Sequence, residues 1–548
     1  MLKERYIRLD AKDNVMVALQ DLASGTMILE KEQRLLLSEP IPAKHKFFLN
    51  DMEAQDEVIM YGVLVGRVQH TVKAGSLMTV SNTRHAAGHY LYRNIQPTWA
   101  PVDVSAFAGR TFDGYHRSDG RVGTANYWLF IPTVFCENRN LDVIREALHN
   151  ELGYAVTDKY KRFTRELVNA IKEGKQLDTG SFSSFQPRAS QQRLFENIDG
   201  IKFLNHQGGC GGTRQDSAIL GKLLASYADH PNVAGITMLS LGCQHLQASE
   251  FIDEVKSRNP SFNKPLLIFE QQLSQSEEGL ITEAIGKTFE GLISANRIKR
   301  KPAPVKDLCI GVKCGGSDGF SGISANPAVG YAADLLVSLG GKVLLAEFPE
   351  LCGAEQDLID RCINKEIADR FIHLMESYNE LAHQAGSGFH MNPSPGNIKD
   401  GLITDAIKSA GAVRKGGRSP VVDVLDYTEP ATKPGLSLVC TPGNDVEATT
   451  GQAASGATLI LFTTGLGTPT GNPICPTIKV STNSSLTSRM KDIIDIDTGP
   501  IVSGEKTIEQ MGAEILEYCI EAASGRTIPK AVQLNQDDFI PWKRGVSL

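Results

Sequence analysis

The stretch CGGSDGFSGISANPAVGYAADLL, residues 314–336, joins a cysteine, a glycine-rich loop and the start of a helix in one place. The preceding run Leu308 to Val312 is apolar and bounded by loops, which predicts a short buried strand delivering Cys314 at its C-terminal end. Helix is expected from about Pro327, since proline suits a first helical turn, and Asn326 is placed to cap exposed amides. In an open α/β sheet, ligands bind in the crevice beyond the carboxyl ends of the strands. Gly315, Gly316 and Gly319 permit close backbone approach there. A catalytic centre is the expectation, and a structural loop around a core thiol is the plainer alternative.

Three other apolar runs end in the same way. Tyr127 to Phe135 leads into Cys136, Ile201 to Leu204 leads through His206 into the GGCGGT loop with Cys210, and Ile236 to Leu241 leads into Cys243. Four cysteines at strand exits suggest one shared pocket, against the alternative of separately buried thiols. None forms a CxxC pair, so a zinc knuckle or a thioredoxin-type motif is unsupported. The charged N-terminus carries no apolar leader and no transmembrane run follows, so a cytoplasmic, reducing location with free thiols is expected, without a membrane partner. Thiols in glycine-rich polar loops bind iron or act as nucleophiles.

The 548 residues suffice for roughly three domains. A net charge of −7 leaves no electrostatic footprint for nucleic acid, and the short basic stretch at 296–306 reads as a solvated linker. The first eighty or so residues alternate apolar and polar positions between turn pairs, which predicts a small β domain at 1–95. A proline-bearing linker at 96–110 follows, then an α/β domain at 111–295 with a polar insertion at 151–197, helical in RFTRELVNAIKEGK and serine-rich at 181–190. From 305 to 548 strands and helices alternate, as in LCIGVKC, GYAADLLVSLGG and KVLLAEFPE, which argues for a mainly parallel sheet. The fold class expected is therefore α/β: a small N-terminal β domain followed by two α/β units. The loop GLGTPTG lacks both dinucleotide and Walker spacing, so no nucleotide cofactor is expected.

These motifs resemble the altronate/galactarate dehydratase family. The likeness rests on FDGYHRSDGRVGTANY at 112–127, LGC at 241–243, KCGGSDGFSGISANPAVG at 313–330, NPSPGNIKDGL at 392–402, TPGNDVEATTGQAASGA at 441–457 and FTTGLGTPTG at 462–471. The N-terminal GT at 25–26, HKF at 45–47 and YGVLVG at 61–66 are similar to the SAF-type β domain of that family, and ELCGAEQDL at 350–358 with AVRKGG at 412–417 look like its altronate side.

The resemblance implies a hydro-lyase of sugar-acid catabolism in hexuronate degradation. It would convert a sugar acid, altronate first and galactarate second, to a 2-keto-3-deoxy acid with iron. Proton removal beside a carboxylate builds an enediolate, which needs a nearby cation and a base. Candidate catalytic residues are His206, His45 and Lys479; candidate substrate contacts are Asp119, Ser317, Asp318, Asn326, Asn392, Asp445 and Thr464. Cys136, Cys210, Cys243 and Cys314 are candidate iron ligands, with two arrangements open: one Fe(II) on mixed ligands, or an iron–sulfur cluster on three or four thiolates. A homodimer is the assembly considered. Two departures stand out: Thr79 and Ser81 precede Asn82 where many relatives carry histidines, and Leu466 occupies a place usually held by arginine. A binding or regulatory relative without turnover is the alternative from another class.

Overall fold

The computed structural model describes residues 5–30, 33–156, 158–176 and 192–545. The serine-rich stretch at 181–190 lies outside them, and the helical run of the insertion forms the helix Asp158–Lys172. Among the described residues no helix is long and apolar enough to cross a membrane.

The N-terminal part is built from short antiparallel strands, Val15–Ala18 with Lys46–Phe48 and Glu57–Met60 with Val63–Val68 among them. It is no free lobe. Its Val15, Phe48, Val58 and Val65 share one apolar core with Phe320, Ile323, Leu402 and Ile407 of the C-terminal part. From Ala86 to Val104 the chain runs without helix or strand along the C-terminal part, where Gln356 and Ser338 accept its amides.

The middle part holds four parallel strands in the order Gly200–Phe203, Tyr127–Pro132, Val233–Ser240 and Leu266–Glu270. Val233–Ser240 is buried at all eight positions, as a strand covered on both faces requires. The basic stretch read as a solvated linker behaves differently. Lys301–Pro304 is a strand pairing with Thr111–His116. It is an edge strand, where prolines 302 and 304 cost no ladder bond on the open side. Arg300 anchors it by donating to Asp199 at 3.1 Å and lying 4.6 Å over the Tyr115 ring.

The C-terminal part carries a seven-stranded parallel sheet in the order Val421–Leu425, Gly435–Val439, Lys342–Leu345, Cys309–Cys314, Leu459–Thr464, Thr477–Ser481 and Ile496–Asp497. The first strand in sequence is central, and the winding reverses between it and Leu459–Thr464. The carboxyl ends of two such neighbours are where α/β proteins place their sites. The following helix is Ala325–Ser338, two residues earlier than Pro327 suggests. Gly340, at φ 90°, ends it in the left-handed conformation that a side chain would strain.

Candidate active site

At the crevice, the backbone register sets three side chains side by side: Lys313 pairs with Phe462, and Phe462 pairs with Lys479. Lys313 Nζ lies 5.8 Å and Lys479 Nζ 3.7 Å from the Phe462 ring centroid, so two lysine side chains share one aromatic neighbour. Lys313 pairs with Glu347, and with Asp445 Oδ1 at 2.8 Å. Asp445 opens the helix Asp445–Ala454, where its charge suits the helix N-terminus. Lys479 donates to the Thr470 carbonyl.

Cys314 sits beside Lys313 with its thiol turned into a buried charge cluster. Its Sγ lies 3.2 Å from Glu350 Oε2 and 3.1 Å from Lys415 Nζ. Lys415 also donates to Glu347 Oε2 at 2.8 Å, and Lys408 to Glu350 Oε1 at 2.8 Å and to Asn392 Oδ1 at 2.5 Å. Glu347 takes a left-handed φ of 74°, an uncommon conformation for glutamate, with Thr441 receiving its amide. Burial pushes the Cys314 thiol up to about 12, Glu350 adding to the effect and Lys415 opposing it. Burial also opposes the Glu350 charge, but Lys408, Lys313 and Lys415 overcome it and hold that carboxyl at about 2. Lys313 and Lys415 lose charge preference to burial yet end above the usual lysine range, because of their anionic neighbours. Lys479 differs. Burial outweighs Asp445 and Asp538 and brings it down to about 7.

The N-terminal domain closes one side of this region. Lys44 Nζ lies 3.0 Å from both Asp318 Oδ2 and Asp400 Oδ1, and a Cβ on Gly319 would stand 2.3 Å from the Lys44 carbonyl. His45 follows on the same turn, with Nδ1 3.1 Å from the Ala43 carbonyl; burial lowers its pKa. His45 is thus carried on a docked turn of a domain that shares a core with the C-terminal part.

Seven sequence candidates therefore surround one crevice: Cys314, Ser317, Asp318, Asn392, Asp445, Thr464 and Lys479. Asp318 is fully buried and accepts from Thr482 at 3.0 Å. Thr464 accepts the amides of Gly467 and Thr468, which shapes the loop carrying Leu466. Ser317 Oγ is buried with no hydrogen-bond partner, so it is free to meet a ligand. Asn326 also lies here, inside the first turn of its helix and not capping it. Its side chain is spent on Gly411 and Thr463.

Five candidates lie elsewhere. Asp119 bonds Arg121 next to Asp229, and with them lines a separate cavity that Cys309 and Lys342, at the starts of their strands, border from the opposite end of the sheet. His206 is in the middle part, with Nε2 2.9 Å from the Pro132 carbonyl and Nδ1 accepting the Gly208 amide at 3.1 Å. Both ring nitrogens are used and burial lowers its pKa to about 4, so it braces a loop as a neutral imidazole. Cys136, Cys210 and Cys243 belong to the four-stranded sheet and are exposed, whereas Cys314 is buried in the other sheet. The four thiols do not share one pocket, because two different sheets present them.

Sequence reading missed Lys313, Glu347, Glu350, Lys408, Lys415 and Lys44. Lys313 adjoins Cys314 in the opening motif, and Glu350 and Lys415 lie inside stretches used for the family resemblance. The strand alternation gives no hint that these charges turn inward.

Whether the residues fit a metal is decided by donor chemistry. Among the described residues, Cys314, Glu347 and Glu350 are the group of three whose donor atoms lie within 4.8 Å of one another. A cysteine sulfur with two carboxylates joins soft and hard donors, a set suited to iron(II). The residues fit.

Residues 305–547 match the family described as "D-galactarate/Altronate dehydratase, C-terminal", residues 114–296 its second domain and residues 4–86 its SAF domain. The chain is 32% identical to the altronate dehydratase of Escherichia coli, over 95% of this chain and 96% of that one. The chain belongs to the altronate/galactarate dehydratase family. An altronate dehydratase of Bacillus subtilis is 31% identical over 99% of both chains, and a galactarate dehydratase (L-threo-forming) of Escherichia coli 31% identical over 95% of this chain and 93% of that one. Membership makes the protein an enzyme, a carbon–oxygen lyase, and the three family segments match its small β part and two α/β parts in order.

Proposed function

We propose that the protein dehydrates a sugar acid at the switch-point crevice, D-altronate to 2-keto-3-deoxy-D-gluconate, with galactarate as the alternative. The observation that carries the reading is the buried meeting of Lys313, Lys415 and Lys408 with Cys314, Glu347 and Glu350, in a chain aligned end to end with altronate dehydratases.

Lys313 remains an ammonium and supplies fixed positive charge where an enediolate develops. Lys479, across Phe462, has a neutral amine available near pH 7, and we assign it the proton on carbon 2. The ammonium it becomes carries the proton that the departing 3-hydroxyl needs, so water leaves and the enol relaxes to the ketone. Ser317 Oγ, unpartnered within the protein, is a donor for a substrate hydroxyl. Cys314, Glu347 and Glu350 would hold one iron(II), which supplies Lewis-acid polarisation of substrate oxygens when bound.

The test is an anaerobic assay for 2-keto-3-deoxy acid from altronate and galactarate, with chelated protein before and after Fe(II). Altronate turnover restored by iron supports the reading in full. Turnover of galactarate alone moves the substrate to the alternative, and turnover of neither acid with iron present overturns it.

A further inference from the structure

Six of the ten cysteines are buried and Cys352 is half-buried, while three are exposed: Cys136, Cys210 and Cys243. Free cysteine is among the most buried residue types, so three exposed thiols call for a reason. All three follow neighbouring parallel strands, Tyr127–Pro132, Gly200–Phe203 and Val233–Ser240, at the carboxyl edge where α/β sheets bind ligands.

Their loops are joined to one another. Phe135, next to Cys136, donates its amide to the Gly208 carbonyl at 3.1 Å, and His245 donates to the Gly209 carbonyl at 3.0 Å. The Cys210 loop is thus bonded to the loop on either side. Gly209 makes this approach possible: its φ is 95°, and a Cβ there would stand 2.1 Å from the Thr133 carbonyl. The neutral His206 ring ties Pro132 to Gly208 and fixes the same junction. Cys210 lines a cavity of about 370 Å³ together with Phe539 and Trp542.

We propose that Cys136, Cys210 and Cys243 hold an iron–sulfur cluster, distinct from the Cys314 site and going beyond the reaction assigned above. Thiolates select such clusters among soft centres. The spacing favours a cluster over a single ion. Sulfurs bound tetrahedrally to one ion at about 2.3 Å stand about 3.8 Å apart. Among the described residues these three sulfurs do not form a group of donors all within 4.8 Å of one another. A cluster offers a separate iron to each thiolate, so its ligands need not converge on one ion, and with three protein ligands a four-iron cluster would keep one iron open to solvent or an oxygen ligand.

The test uses the full-length protein, reconstituted anaerobically with Fe(II) and sulfide and desalted. The readouts are iron, acid-labile sulfide, the visible charge-transfer band and the electron paramagnetic resonance of the reduced form. The proposal expects about four sulfides per chain, their loss in C136S/C210S/C243S, and their retention in C314S. Wild-type protein that binds iron without labile sulfide overturns it, as does a cluster that survives the triple substitution or is lost in C314S. If the triple variant does not fold, by circular dichroism, the three single serine variants decide. Loss of sulfide in each supports the proposal, and full retention in all three overturns it. Turnover of altronate is scored separately, so failure here leaves the dehydratase reading untouched.

Discussion

Lys415 places its ammonium 3.1 Å from the sulfur of Cys314, and neither side chain is reached by solvent. The same ammonium holds Glu347 at 2.8 Å. A cation in so dry a place is stabilised by its anions alone, and each anion depends equally on it. The strand Cys309–Cys314 therefore ends in an assembly whose charged members cannot be removed singly without leaving a buried charge.

Substituting Lys415 tests that dependence. K415M keeps the bulk and deletes the charge, leaving Glu347 with Lys313 only. A loss of about 3–5 kcal/mol is expected in urea or thermal unfolding, together with loss of turnover. A variant as stable as the parent would show that Glu347 takes up a proton without penalty.

Metal removal is expected to abolish altronate turnover, and iron(II) to restore it. E350Q and C314S should each lower iron retained at the crevice by about 10-fold or more, measured as bound iron in cluster-free protein after dialysis. H206N should leave that number unchanged, because His206 stands on the other sheet.

Lys479 gives a pH dependence with a definite sign. Its folded value of about 7 lies below the ordinary 10.5, so between these values the unfolded chain binds the extra proton. Its contribution to stability therefore rises with pH across that window. As the amine must be neutral to accept a proton, kcat/KM should rise through about pH 7. K479R should remove that limb and lower kcat/KM by about 10²–10⁴-fold.

His206 is neutral in the fold, at about 4 against an ordinary 6.5. As pH falls from 6.5 to 4 the unfolded chain gains a proton that the folded chain refuses, and up to about 3 kcal/mol of stability is lost. H206N should flatten this part of the stability–pH curve, followed by urea unfolding at several pH values, while leaving the pH profile of kcat/KM in place.

Leu466 lies on the rim of the crevice, its Cβ 3.3 Å from where a side chain on Gly316 would begin. An arginine there would present a fork to a second carboxylate. L466R is expected to raise the galactarate-to-altronate ratio of kcat/KM by about tenfold or more, read from parallel assays of the two acids.

The local signals that mark this fold are strong in the sequence. Apolar runs ending in glycine and cysteine locate the central strands, because a strand buried on both faces has to be apolar throughout, and the alternation of strand and helix leaves a parallel sheet as its economical closure. Ser317, Asp318, Asp445 and Thr464 were legible for a related reason: polar groups at or just beyond carboxyl strand ends face a crevice. What separated the four cysteines was tertiary. Identical strand-exit patterns occur in two sheets, and only their packing shows that Cys314 joins Glu347, Glu350 and Lys415 while the other three thiols stand exposed on the other sheet. Lys415 reaches Cys314 across 101 positions of chain and Lys44 reaches Asp318 from another domain. Periodicity carries no trace of such pairings, because a buried charge is tolerated only where folding has brought its partner.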